Sequence, residues 1–166
     1  FVETRTGALG MSYIGADGFI GVSASRYDNR YGNPGEPGDP SAGEAGVSLD
    51  MLQNRFELKA GINRDLWIFD GLRGSFASTS YEHTEFEGAE VGTFFTNEAD
   101  EGRLELTHRA FGNWTGAIGF QASDRAFEAI GEEAFVPRTK TRAQRLFWME
   151  HGQWDSLQVD LGARAD

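Results

Sequence analysis

A chain of 166 residues and 18.3 kDa, with a formal charge of −11 and a pI near 4.7, is long enough for one domain or part of a larger one, and its acidity argues against nucleic acid as a partner. It has no cysteine, which removes disulfide frameworks, thiolate metal sites and cysteine nucleophiles. Mean hydropathy is −0.46 and no run approaches the roughly 18 apolar residues of a membrane-spanning helix; a transmembrane β-barrel stays open, because its strands place only alternate residues in lipid.

From Val2 to Ile14 the residues Leu9, Met11 and Tyr13 share a face, and the turn Gly15-Ala16-Asp17-Gly18 leads into a strand over Phe19 to Tyr31. There Ile20, Val22 and Ala24 oppose Gly21, Ser23, Ser25 and Tyr27. Residues 32–46 hold three of the four prolines with repeated glycines and three acids, a composition for a polar loop rather than a strand. Alternation resumes over Val47 to Ile62, where Leu52, Phe56, Leu58, Ala60 and Ile62 oppose Gln53, Arg55, Glu57 and Lys59. A connection around Trp67 leads to a less regular strand from about Leu72 to Thr84, and residues 86–101 read as a long acidic excursion with partial strand character.

The clearest unit follows. In Gly102 to Arg125 the residues Leu104 and Leu106 share one face and Arg103, Glu105, Thr107 and Arg109 the other; Trp114, Ile118, Phe120 and Ala122 oppose Thr115, Gly119, Gln121, Ser123 and Arg125. Phe-Gly-Asn-Trp supplies the turn, with Gly112 and Asn113 tolerant of positive φ. Residues 127–141 read as another long loop, and a last hairpin pairs Arg142 to His151 with Ser156 to Ala165 around Gly152-Gln153-Trp154-Asp155. The expectation is all-β: an antiparallel up-and-down meander of about eight strands, part of a transmembrane β-barrel, with residues 1–166 forming one barrel segment. Alternation runs to both ends of the chain, which predicts an internal segment of a longer protein.

Connections alternate between short, near residues 16, 67, 112 and 154, and long, at 32–46, 86–101 and 127–141, which puts all short turns at one end of the sheet. Trp67, Trp114 and Trp154 lie at or beside short turns, with Tyr13, Phe19, Phe69 and Phe111 in the same band. Such a band reads as an aromatic girdle at a membrane interface, against the alternative that it plugs the end of an ordinary β-core. In a closed eight-stranded barrel, inward Arg55, Glu57, Lys59, Arg103, Glu105, Arg109, Arg125 and Arg164 need dense mutual pairing, whereas a wider barrel accommodates them.

The segments GFIGVSASRYDNRYGNPG, NRFELKAGI, YEHTEFEGAEVGTFFTNEADEGRLELTHR, GAIGFQASDRAFEAIGEEAFVPRTKT and LGARAD, in this order, resemble the barrel of TonB-dependent outer-membrane receptors; YEHTEFEG, GRLELTH and AIGEEAFVP carry the resemblance best. It implies a 22-stranded barrel in the bacterial outer membrane, with an N-terminal plug, that takes up a scarce nutrient such as a metal chelate or siderophore. Its implied partners are outer-membrane lipid and lipopolysaccharide, the nutrient ligand, and the TonB complex through a part N-terminal to this chain. Relatives with a histidine-rich loop after the RYDNRYG-like strand are associated with metal uptake; here that loop reads PGEPGDPSAGEAG. The alternative is a complete small eight-stranded outer-membrane barrel with a structural or adhesin role, and behind it a soluble antiparallel barrel binding an apolar ligand.

No nucleophile, base and acid set, phosphate loop or thiolate pair is present, so a non-enzymatic role without a cofactor is expected. His83, His108 and His151 are the only histidines and lack ligand spacing, so no metal site is assigned. Adjacent Glu132 and Glu133 point to opposite sides of an extended chain, which argues against a catalytic pair. The candidate ligand-facing loop residues are Glu85, Glu87, Glu132 and Glu133, whose negative charge attracts cationic or metal-bound ligands.

Overall fold

The computed structural model describes residues 1–34, 38–39, 46–131 and 134–166. It is a single antiparallel sheet in which every strand pairs with its sequence neighbours: β1 (Val2–Ile14), β2 (Gly18–Gly32), β3 (Val47–Ile62), β4 (Phe69–Glu87), β5 (Glu90–Phe111), β6 (Trp114–Gly131), β7 (Thr139–Gln153) and β8 (Gln158–Ala165). β1 and β8 are its two edges and do not pair with each other, so the sheet is not closed as a barrel. The eight-strand meander follows the expectation, and so does the central hairpin: Leu104 lies opposite Phe120, Leu106 opposite Ile118, and Gly112 turns the chain with φ 61°.

Three sequence expectations are corrected. The loop expected over residues 127–141 is shorter, because β6 runs to Gly131 and β7 begins at Thr139. Residues 86–101 are strand: β4 and β5 run for 19 and 22 residues and join at Gly88-Ala89, with Gly88 at φ 64°. A glycine free to take that conformation closes the hairpin in two residues, so the strict alternation of short and long connections fails there. Phe19 also leaves the aromatic band. It lies on the opposite face of the sheet, over Gly61, where an added Cβ would stand 2.6 Å from its ring.

Among the described residues no second layer covers the sheet, and the consequence is visible in its burial. Among the described residues the only buried apolar side chains are Ala77 and Ala117. Cross-strand register lines up Leu9, Met11 and Tyr13 with Ala24, Val22 and Ile20, then with Phe56, Leu58 and Ala60, then Phe76 and Leu72, Leu104 and Leu106, Phe120 and Ile118, Leu146 and Trp148, and Ala163 and Leu161. This apolar belt crosses all eight strands on one face, with Leu9 82% and Leu104 56% exposed. A sandwich or a filled soluble barrel would bury these side chains against a second layer.

The belt runs obliquely to the strands. Its centre on β1 is Met11, whose row across the sheet meets β7 at Gln144; its centre on β8 is Leu161, whose row meets β7 at Glu150. That offset, roughly 20 Å over seven strand spacings, tilts the strands by about 30° from the normal to the belt.

Behind the belt the opposite face is polar and paired along single strands: Arg55 Nη2 to Glu57 at 2.8 Å, Lys59 Nζ to Glu57 at 3.5 Å, Arg103 Nη2 to Glu105 at 2.7 Å. The pairs are part-exposed neighbours two residues apart rather than the dense network a filled barrel interior requires. One aromatic stack interrupts them. Gly119 on β6 leaves room for the Phe147 ring from β7, and the Arg103 guanidinium covers that ring at 4.0 Å. A Cβ at Gly119 would strike the ring and stand 2.7 Å from the Leu104 carbonyl oxygen, which is backbone and cannot turn away. Gly119→Ala therefore destabilises the sheet by about 1–3 kcal/mol, read as a lowered midpoint in thermal or urea unfolding; an unchanged midpoint contradicts this packing.

Candidate functional site

The belt ends at one level on successive strands, and there the two faces exchange character. On β2 the even positions Ile20, Val22 and Ala24 give way to Arg26, Asp28 and Arg30, while the odd positions Gly21, Ser23 and Ser25 give way to Tyr27 and Tyr31. On β4 the apolar phase passes from Leu72 and Phe76 to Tyr81 and His83; on β5 and β6 it passes from Leu104, Leu106, Ile118 and Phe120 to Phe95 and Phe127. Register shifts occur only at the ends of β4 and β5, between Phe69 and Gly71, Glu85 and Phe86, and His108 and Phe111, so the exchange is written in the sequence and not produced by a bulge.

Beyond the belt, the belt face carries charged pairs, with Leu52, Phe94 and Ile130 as apolar residues among them. Arg30 Nε pairs with Asp50 at 3.0 Å, Arg142 Nε with Asp124 at 2.6 Å, and Arg26 lies 3.8 Å from Asp28. The opposite face carries a cluster built from four strands. The Tyr81 hydroxyl lies 3.0 Å from His83 Nδ1, the His83 ring stacks on Phe95 with centroids 4.3 Å apart at 22°, and Phe95 meets Phe127 at 6.3 Å. Met51 on β3 lies opposite His83, and Asn97 on β5 lies between Tyr81 and Phe127 in register. The Asn97 Oδ1 is buried without a hydrogen-bond partner, an acceptor among aromatic rings.

Burial pushes the His83 imidazole below its ordinary value against the opposing pull of Glu85, and burial together with the neighbouring Tyr31 raises the Tyr81 phenol. Both residues lie past the belt. A neutral His83 accepts from the Tyr81 hydroxyl at Nδ1 and keeps its proton on Nε2, which faces Glu85 Oε1 at 3.8 Å.

Of the candidate acids, Glu85 and Glu87 are on the last turns of β4 and not in a loop, on the same face as His83. Glu85 lies opposite Leu49 and Thr93, and Glu87 opposite Val47 and Glu90. Together with Tyr31 and Thr93 they line a concavity of about 500 Å³. Glu132 and Glu133 lie outside the described residues. His108 and His151 are far from this cluster in the chain's register. His108 Nε2 contacts Glu150 at 3.0 Å and His151 Nδ1 contacts Asp160 at 2.7 Å. Among the described residues no three histidine or carboxylate groups converge as metal ligands. The aromatic cluster escaped the sequence reading, which weighed the histidines only by ligand spacing; the signal was the shift of large side chains from even to odd positions, from Ile20 and Val22 to Tyr27 and Tyr31 in β2 and from Leu72 and Phe76 to Tyr81 and His83 in β4.

At the short-turn end the girdle residues Tyr13, Phe111, Trp114 and Trp154 are on or over the belt face; Trp114 and Trp154 meet edge to face at 5.3 Å above Gly152, where a Cβ would stand 2.7 Å from the Trp154 ring. Trp67, at φ 64°, is in the turn and 84% exposed. Backbone bonds tie each short turn to the next: Asn63 N to Asp17 O at 2.7 Å, Arg109 N to Ile68 O at 3.0 Å and Gln153 N to Asn113 O at 3.0 Å. No protein-family model matches the chain.

A His83 held neutral by burial binds fewer protons than its unfolded counterpart below its ordinary value near 6.5. Stability is therefore full above that value and declines as pH falls from it toward the folded midpoint. NMR of ring-labelled histidine should show His83 as the Nε2–H tautomer with a midpoint below 6.5; a cationic ring at pH 7 contradicts the assignment.

Proposed function

We propose that this chain is a wall segment of an outer-membrane β-barrel of the TonB-dependent receptor class, with its belt face toward lipid and its opposite face toward the lumen. The observation that carries the reading is the exchange of polarity between the faces at one level of the sheet. A strand packed on a protein core keeps its apolar phase along its length; a strand leaving a bilayer loses the apolar requirement on its outer face at the interface. The aromatic band at the short-turn end, the lean of about 30° that approaches the tilt of barrel strands, and the free edges of β1 and β8, which allow the sheet to continue on both sides, support the same reading.

In this arrangement the short turns face the periplasm and the β4–β5 hairpin reaches outside. The cluster of Tyr81, His83, Phe95, Phe127 and Asn97 then lines the outer half of the lumen beneath Glu85 and Glu87. Flat rings and one free acceptor suit a nutrient ligand with apolar or aromatic parts, and the acids favour a cationic group or a bound metal. The role is capture and uptake without chemistry, energised through the TonB complex by a part of the protein N-terminal to this segment.

The test is uptake in the bacterium that makes the protein. Deleting the gene should abolish accumulation of one scarce nutrient from a panel of siderophores, metal chelates and corrinoids, an uncoupler should reproduce that loss, and the protein should fractionate with the outer membrane. A protein found in the soluble fraction, or uptake indifferent to the uncoupler, contradicts the proposal.

A further inference from the structure

Tyr81 and Asn97 lie directly opposite each other on β4 and β5, on the face that carries the aromatic cluster. The Tyr81 hydroxyl is 3.0 Å from His83 Nδ1, and the Asn97 Oδ1 is buried without a partner. A phenol has one hydrogen to donate and can also accept, an amide oxygen only accepts, and a histidine nitrogen does one or the other according to its protonation. The three groups therefore have two arrangements. With His83 neutral, Tyr81 donates to Nδ1 and Asn97 Oδ1 is open. With His83 an imidazolium, Nδ1 carries a proton taken from solvent and donates it to the Tyr81 oxygen, so the phenolic hydrogen turns to another acceptor.

The surroundings select that acceptor. Gln53 flanks Tyr81 on the β3 side and has no buried unpartnered atom, whereas Asn97 Oδ1, buried and unpaired, gains most from a donor. Around the His83 ring β3 presents Met51 and β5 presents Phe95 and Thr93, none of them charged. Glu85 of β4 is the charged group that faces it, 3.8 Å from Nε2, with the Tyr31 phenol of β2 on the same face. Burial opposes the imidazolium and Glu85 favours it, so the charged form arises in acid, below the ordinary value near 6.5.

We infer that the cluster is an acid-release site: with His83 neutral the Asn97 oxygen accepts an N–H or O–H from a flat ligand seated among Tyr81, Phe95 and Phe127, and protonation of His83 reverses its hydrogen bond with Tyr81, whose hydroxyl then caps Asn97 and displaces the ligand's donor. This rests on the reading of the cluster as the ligand site. It adds the group by which the ligand is recognised, a donor on a flat ring, and the condition under which the ligand is let go.

The test uses the full-length protein carrying this segment in mild detergent, with fluoroindole, a flat ring with one N–H, followed by fluorine NMR beside its N-methyl analogue, which has no donor. Fluoroindole should bind about 5-fold more tightly at about pH 8 than at about pH 5, and the N-methyl analogue equally at both. Tyr81→Phe, which has no hydroxyl hydrogen to move, should keep the tighter binding in acid; Asn97→Leu should lose it at both pH values. In the ligand-free protein Asn97→Leu should lower the His83 midpoint in ring-labelled histidine NMR, because the charged form loses its acceptor, while Gln53→Leu should leave it in place. An unmoved midpoint in Asn97→Leu, or acid release that persists in Tyr81→Phe, overturns the reversal. Fluoroindole binding that is equal at both pH values rejects this inference and leaves the ligand site standing; no binding at either rejects both.

Discussion

A sheet one layer thick must satisfy the surroundings on both of its faces, and that constraint organises this molecule. With Ala77 and Ala117 the only buried apolar side chains among the described residues, folding by burial within the chain is not available as the main stabilising force. Backbone pairing fixes the strands to one another, but the large apolar belt from Leu9 to Leu161 remains open to whatever lies beside it. Water is the least favourable neighbour for such a surface. The charges of the other face, from Arg55 and Glu57 to Arg103 and Glu105, require the reverse. The two faces therefore demand different media, and the demand changes hands where Arg26, Asp28 and Arg30 replace Ile20, Val22 and Ala24.

That exchange links the separate features of the proposal. It sets the outer boundary of the belt, puts the Tyr81–His83–Phe95–Phe127 cluster on the face opposite the belt, and leaves Lys140 and Arg142 of β7 on the belt face. The aromatic side chains over Gly152 mark the other boundary. In the proposed arrangement, ligand capture and lipid contact fall at the same height on opposite sides of one wall, separated by the thickness of a strand.

The fold was largely legible because period-two alternation is strong wherever one face stays apolar: β2, β3 and the β5–β6 hairpin have the faces their residues predict, and Gly112 turns where Gly-Asn is expected. The outer parts of β4 and β5 were not. Tyr81, His83 and Phe95 follow an odd phase while Leu72, Phe76 and Leu104 follow an even one, so a reading that expects one phase per strand sees an irregular strand that stops near Thr84 and an excursion over residues 86–101. Glu85 and Glu87 were expected in a loop, where their charge suggested them, but cross-strand pairing with Leu49 and Val47 holds them in β4. The partners of β7 needed register as well, since only alignment with β6 shows that Lys140 lies opposite Ala126 and Arg142 opposite Asp124.

The most direct test of the account is the medium on each side of the sheet. Nitroxide labels placed singly at Leu58 and Leu104 on the belt, at Glu57 and Gln121 behind it, and at Asp28 beyond its edge can be compared in native outer membranes by their accessibility to oxygen and to a water-soluble nickel chelate. The account predicts oxygen-dominated relaxation at Leu58 and Leu104, and nickel-dominated relaxation at Glu57, Gln121 and Asp28. Equal nickel accessibility at Leu58 and Glu57 would place water on both faces and contradict it.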